Sequence, residues 1–257
     1  MFDALYVGAA GMRGEQQQID SIAHNLANLN TIGFRRGVTT FSEVSAALAT
    51  TAANSLLGDS AEMFRGAGVS TALTLSSRPG ELRQTGESLD LAIDGLGFIE
   101  VIRSDGTPAY SRAGRLRVND NGELATADGS PLAAGIQIPS DAHQILVRED
   151  GRVLTTNDHG EFVELGQIEL VTFPNATALR PAGANLYVAD ANAGRPESAL
   201  PGEAGMGQLR QGFVESSNVQ MADELVTMML AQRAFELNSR VVQAADQLMS
   251  ITNSLYR

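Results

Sequence analysis

The 257-residue chain contains no cysteine, no tryptophan and no lysine. Without cysteine there is no disulfide framework, no thiolate metal site and no cysteine nucleophile. Aromatics make up only 5% of the residues, whereas catalytic and ligand pockets usually draw on richer aromatic lining. All 18 basic residues are arginine, which we read as a composition bias with no chemistry attached. No run approaches the ~20 apolar residues of a membrane span. The start, Met1-Phe2-Asp3-Ala4, has an acid where a signal peptide would be basic, so by ordinary routes the chain is expected to stay in the cytoplasm. The formal net charge of −12 argues against nucleic acid and against anionic membrane as the main partner.

Catalytic and metal chemistry are equally thin. His24, His143 and His159 are scattered, without metal-ligand spacing. Around Asn119-Asp120-Asn121-Gly122 an EF-hand register would need an aspartate at the first ligand position, and Arg117 stands there. A hairpin turn is the better reading. Gly95-Leu96-Gly97 could open a dinucleotide fingerprint, but Glu100 stands where the third glycine should be and a strand is expected next. No Gly-x-Ser-x-Gly elbow occurs. The expectation is a non-enzyme with no cofactor and no metal.

What the chain does have is a pair of seven-residue apolar stripes, one at each end. Leu5, Met12, Ile19 and Leu26 fall seven apart, with Ile22 and Leu29 assigned to the same face. Met221, Met228, Phe235, Val242 and Met249 repeat the spacing, and Val241, Ala245, Leu248 and Leu255 are read as widening that face. A strict seven-residue period selects helices that wind around other helices. The first helix is expected over residues 3–32, about 45 Å at ~1.5 Å per residue. Gly33 would take the left-handed position at its end, with Arg35 and Arg36 beside the negative end of its dipole. Gly8, Gly11 and Gly14 each cost about 1 kcal/mol relative to alanine. The bare backbone they leave allows close helix approach. Asn25, Asn28 and Asn30 crowd the end of this helix. Termination explains two of them, and an amide that hydrogen-bonds across a helix contact to fix register is the sharper reading. The second helix is expected from Ser217, with Gln220 at capping-box spacing, to about Leu255, roughly 58 Å.

Between the stripes the pattern is short β runs separated by turns. Strands are expected near 89–93, 97–102, 116–118, 123–126, 144–148, 153–155 and 167–173. Asp105-Gly106, Asn121-Gly122, Asp128-Gly129 and Asp150-Gly151 are the turns. Residues 84–212 carry 18 acidic and 9 basic side chains, whereas the first 40 residues are balanced at 3 and 3. The middle is therefore a solvated surface, and the ends are near neutral, as packing faces should be. Residues 37–83 read as an extended arm or loose hairpin, with a short helix near 41–50. Residues 191–210 read as a loose linker. The fold class is α+β: long terminal helices pairing as a coiled-coil-like domain, a central all-β domain and an extended arm. The divisions are 1–36, 37–83, 84–212 and 213–257.

Three segments resemble the bacterial flagellar rod and hook family. Residues 25–35, Asn-Leu-Ala-Asn-Leu-Asn-Thr-Ile-Gly-Phe-Arg, are similar to its N-terminal signature, with His24 where asparagine is common. Residues 90–98 and 110–114 resemble its central β module, with Ile99 and Leu116 replacing aromatics. Residues 211–219 and 232–240 resemble its C-terminal signature. The length and the 232–240 segment fit a distal rod subunit best, with a proximal rod subunit as the alternative. The resemblance implies a helical tube that transmits torque from motor to hook, with paired terminal helices inside and β domains outside. It implies export, without a cleaved signal peptide, through the flagellar type III apparatus to a basal body in the periplasm. The implied partners are further copies of the chain, other rod proteins, the hook protein and surrounding ring proteins. It adds Asn218, Gln232, Arg233 and Asn238 to the assembly-interface residues read above.

Overall fold

The computed structural model describes residues 2–44, 68–140, 142, 144–156 and 161–255. Two helices bracket a β-rich middle, which makes the chain α+β. The order is α1 (Phe2–Ala27), β1 (Gly37–Val44), β2 (Gly68–Leu75), β3 (Leu82–Gln84), β4 (Leu91–Asp94), β5 (Phe98–Ile102), β6 (Pro108–Ser111), β7 (Leu116–Val118) and β8 (Leu124–Thr126). It continues with β9 (Ile145–Val147), β10 (Arg152–Thr156), β11 (Phe162–Gln167), β12 (Leu170–Thr172), β13 (Arg180–Gly183), β14 (Leu186–Val188), β15 (Glu197–Ala199), β16 (Gln208–Gln211), β17 (Phe213–Glu215) and α2 (Met221–Leu255). The chain divides into two compact units. One holds Met1–Leu26, Gly37–Thr74 and Gln220–Arg257; the other holds Ala27–Arg36 and Leu75–Val219.

In the β unit the largest sheet runs β13-β14-β6-β5-β12-β15, antiparallel throughout. Side chains alternate across a strand with period two, and this sheet uses the alternation to separate two kinds of core. Ile99, Val101, Ala109, Leu170 and Leu186 join an aliphatic cluster with Leu91, Leu124, Leu132, Val153 and Leu209. Phe98, Tyr110, Val171 and Tyr187, one residue out of phase, join Leu75, Phe173 and Leu179 on the other face. The few aromatics are thus concentrated, and they meet edge to face. Tyr110 lies 4.7 Å from Phe173, and Phe98 lies 6.4 Å from Phe173 and 6.2 Å from Tyr187, between ring centroids. These are favoured aromatic arrangements.

Smaller sheets complete the unit: β16 with β4, β17 with β3, β7 with β8, and β11-β10-β9. The Asn121-Gly122 turn between β7 and β8 closes as a hairpin, with Gly122 at φ +80° and its N–H donating to Asn119 O at 2.9 Å. On β9 two of the outward-pointing backbone groups are taken by the Gln211 side chain of β16. Val147 N donates to Gln211 Oε1 at 3.1 Å, and Gln211 Nε2 donates to Ile145 O at 2.8 Å.

Several expected boundaries move. The first helix stops at Ala27, not at residue 32. Residues 28–30 turn instead, Thr31 N bonding back to Asn28 O and the Thr31 hydroxyl to Asn28 Oδ1, which is how asparagine competes with helix. Gly33 is left-handed, at φ +70°, but it does not cap the helix. A Cβ there would lie 2.5 Å from the Arg112 carbonyl, so the glycine admits a backbone-to-backbone approach. The second helix starts at Met221, not at Ser217. The Ser217 hydroxyl accepts from Val219 N inside a non-helical lead-in. Residues 41–44 are strand rather than helix, and 45–50 lie outside the described residues. The stretch read as a loose linker holds a short 3-10 turn, Ala191–Ala193, and then β15 and β16.

Candidate assembly interface

The unit that holds both helices is built around small side chains. A Cβ on Gly8 would come 2.7 Å from Val242 Cγ2, and one on Gly11 would come 2.9 Å from Asn238 Nδ2. Asn25 Nδ2 donates to Glu224 Oε2 at 3.3 Å. Going from Gly11 to Asn25 along α1 therefore matches going back from Asn238 to Glu224 along α2. The helices run antiparallel over that stretch, and both steps span two heptads. On α2 a stripe of buried and half-buried positions runs Glu224, Met228, Ala231, Phe235, Asn238, Val242, Ala245 and Met249, alternating by four and three residues, with Thr227, Ala234, Ser239 and Thr252 half-buried beside it. That is a 3.5-residue period. Glu15 is half-buried on α1, and its burial pushes the carboxyl above its ordinary value.

A second face of α1 meets the hairpin strands. A Cβ on Gly14 would lie 2.8 Å from the Phe41 ring and 3.4 Å from Thr71 Cγ2. The Thr71 hydroxyl bonds the Gln17 side chain. β1 and β2 pair antiparallel, Thr40 Oγ1 donating to Ala72 O at 3.1 Å and Thr74 Oγ1 to Val38 O at 3.2 Å. Asn25 is the junction. Its Oδ1 accepts from Gly37 N at 2.9 Å and its Nδ2 donates to Gly37 O at 2.8 Å, besides the bond to Glu224. It is 1% exposed and Glu224 is 0% exposed. Two polar side chains are thus buried between the helices and joined by an amide–carboxylate bond.

The residues expected at the interface fall into groups. Ile22 and Asn25 are buried, and Met12, Ile19, Leu26, Met228, Phe235, Asn238, Val242 and Met249 are half-buried. The Leu5 side chain lies outside the described residues. Asn28 and Leu29 sit in the turn beyond α1 and cannot continue its stripe. Gln232 and Arg233 are exposed on α2. Asn218 is half-buried in the lead-in to α2, its amide bonded to Arg36 N and Arg78 O. Met221 is exposed, and so are Val241 and Leu248, which were read as part of the same face.

Those exposed residues form a face of their own. Val226, Leu230, Leu237, Val241, Leu248 and Ile251 are all exposed. At 100° per residue they lie on the side of α2 opposite Glu224, Phe235 and Val242. Leu230, Leu237 and Leu248 remain 62%, 61% and 57% exposed. The sequence carried a signal for this, since 230, 237 and 251 keep multiples of seven. Assigning 241 and 248 to the first stripe hid it. Glu224 was missed because a glutamate in the first turn reads as a dipole partner. Among the described residues no helix is long and apolar enough to cross a membrane.

Both ends and the middle of the chain match models of one family. Residues 5–35 match the model described as flagella basal body rod protein, 92–155 the flagellar hook protein FlgE/F/G D1 domain, and 210–255 the flagellar basal body rod FlgEFG protein C-terminal model. The flagellar basal-body rod protein FlgG of Borreliella burgdorferi is 36% identical over all of both chains, and that of Bacillus subtilis is 37% identical, also over all of both. The chain belongs to the FlgG-type flagellar basal-body rod proteins. The flagellar basal-body rod protein FlgF of Caulobacter vibrioides is more distant, at 31% identity over 96% of this chain and 95% of its own. The proximal-rod alternative is therefore not favoured. A FlgG-type chain is a structural subunit of the distal rod in the flagellar basal body, not an enzyme.

Proposed function

We propose that the chain self-assembles into the helical tube of the distal rod and carries motor torque through it to the hook. The observation that carries this reading is the second apolar face of α2. A helix with one apolar face needs one neighbour, and a helix with two opposite ones needs two. Within the chain, α1 contacts one face. The other fits a helix of the next copy, and a contact between unlike patches whose rotation does not close repeats into a filament. In this reading α1 and α2 pair as a coiled-coil-like inner layer and residues 84–212 form the outer β domain; the arm expected over 37–83 lies in part outside the described residues. The hook protein, other rod proteins and surrounding ring proteins are the further partners. Export runs through the type III apparatus to a rod in the periplasm.

The test is Leu237→Asp together with Leu248→Asp, with Arg240→Ala as the control. Burying a leucine stabilises by about 1.5–3 kcal/mol, and the loss recurs at every subunit. Rods are expected to be absent by electron microscopy in a complemented deletion strain, while the purified variant melts like the parent. Normal rods in the double variant would remove α2 from the interface between copies.

A further inference from the structure

Three stretches of the β unit are the ones by which the chain passes to and from the helical unit: 27–36, 75–80 and 215–219. Each is tied to both of the others. Glu215 accepts from Arg35 Nη2 at 2.9 Å through Oε1 and from Arg112 Nη1 at 3.0 Å through Oε2, and Oε1 also accepts from Gly80 N at 2.8 Å. Its backbone carbonyl accepts from Gly33 N at 2.7 Å. Arg35 Nη1 reaches across to Ser77 O and Arg78 O at 3.1 and 2.6 Å. Three residues on, Asn218 repeats the pattern with an uncharged side chain, Oδ1 accepting from Arg36 N and Nδ2 donating to Arg78 O, both at 2.7 Å. Arg112 anchors the cluster to the sheet, donating to Gly95 O at 2.6 Å and lying 5.4 Å over the Phe98 ring. Arg35, Arg112 and Glu215 are all buried.

Stability alone does not explain two arginines and a glutamate in such a place. Buried ion triads are often matched by apolar side chains of the same volume. What ionic and amide bonds add is direction. An apolar contact slides at little cost, whereas a short charge-assisted bond resists displacement along a defined axis. The glycines support this. A Cβ on Gly80 would lie 1.8 Å from Ser216 O and one on Gly33 would lie 2.5 Å from Arg112 O, so backbones touch with no compliant side chain between them. We propose that the Arg35–Glu215–Arg112 triad and Asn218 are the force-transmitting joint of the β unit, the positioning residues that distribute force arriving by any one of the three segments over the other two and into the sheet. This rests on the torque-carrying reading above.

The experiment compares swimming speed at low and high viscosity in a deletion strain complemented with the full chain carrying Asn218→Ala or Glu215→Gln, with rods counted by electron microscopy and the β unit checked by hydrogen exchange. Asn218→Ala removes two bonds and no charge, so rods are expected in normal number. Speed in dilute medium is expected to stay within about 20% of the parent, and speed at high viscosity, where drag loads the rod, is expected to fall at least about twofold further than the parent's. Asn218→Asp, which keeps the acceptor for Arg36 N and loses the donor to Arg78 O, is expected to fall between. Glu215→Gln, which leaves two buried guanidinium groups facing a neutral amide, is expected to show the larger load dependence wherever its β unit stays protected. Equal relative speeds at both viscosities with normal rods would overturn the joint and leave the tube reading standing. Loss of rods in Asn218→Ala with a protected β unit would also overturn it, by moving the residue into assembly. Failure of the tube reading itself is read separately, from normal rods in the Leu237→Asp, Leu248→Asp double variant.

Discussion

Glu215 sits where a single carboxylate balances two buried guanidinium groups. Burial lowers the Arg35 guanidinium from its usual value and pushes the Tyr187 phenol up, so Tyr187 stays a neutral hydroxyl that accepts from Arg35 N at 3.2 Å. Removing one partner of a buried pair leaves an uncompensated charge. Glu215→Ala is therefore expected to destabilise the β unit by about 3–5 kcal/mol, read from denaturant midpoints at constant slope. Glu100 behaves in the opposite sense. Burial, then the charge of Glu169, raises its carboxyl above the ordinary value of 4.5. The folded chain thus binds that proton more tightly than the unfolded chain. The associated stability is present below the ordinary value and is lost as pH rises through the raised one. Glu100→Gln is expected to stabilise the fold at pH 7, by less than about 1 kcal/mol for a partly exposed group, seen as a higher melting temperature, and to leave it unchanged at pH 4. An equal gain at both pH values would assign the effect to packing rather than charge. None of this residue-level chemistry was legible from sequence. Arg35 follows a helix and reads as a dipole partner, and nothing local announces a carboxylate 180 positions later.

At the scale of the element the sequence was far more informative. The seven-residue spacing of Met228, Phe235, Val242 and Met249 survives as the half-buried stripe of α2, because a period is a property of neighbours along the chain. The α1 stripe was read less well. Apolar side chains marked Met12, Ile19 and Leu26, which are half-buried, but the approaches to α2 at Gly8, Gly11 and Asn25 carry no apolar mark. A contact face made by the absence of side chains leaves no hydrophobic pattern. The glycines give a direct test. Alanine would gain about 1 kcal/mol of helix propensity at either site. At Gly11 the obstruction is the end of the Asn238 side chain, which can turn, and at Gly8 it is Val242, whose branched side chain is stiff. Gly11→Ala is expected to be close to neutral and Gly8→Ala to weaken rod formation, while Gly8→Leu abolishes it. Rod counts and motility in complemented cells check the order, which fails if Gly8→Leu assembles normally.

For the whole molecule, the division into terminal helices and a β middle was visible from periodicity and charge, but the pairing of the strands was not. β4 pairs with β16 and β3 with β17 across more than a hundred residues, and strand recognition from short runs says nothing about distant partners. β16 was also hidden in a stretch rich in glycine and proline. These long-range ladders bind the β unit as one cooperative block, whereas α1 carries three glycines and α2 keeps an apolar face toward solvent. Hydrogen exchange on dilute monomer is expected to show strong protection at 91–94 and 208–211 and weak protection across 7–22. Comparable protection in both would mean that α1 folds without neighbouring copies.

The bonds of the Gln211 side chain, from β16, to the backbone of β9 have a consequence for how copies can meet. Edge-to-edge growth of a sheet is a chain reaction that needs two receptive borders on each molecule, one to give and one to take. In the β11-β10-β9 sheet the border at β9 is already occupied from within by a glutamine amide. Fewer free groups remain there for a second copy, so the β9 border is a poor seed for a ribbon that competes with ordered addition of subunits. Gln211→Ala frees Val147 N and Ile145 O, and the expected product is a thioflavin-positive aggregate that appears at lower protein concentration than for the parent.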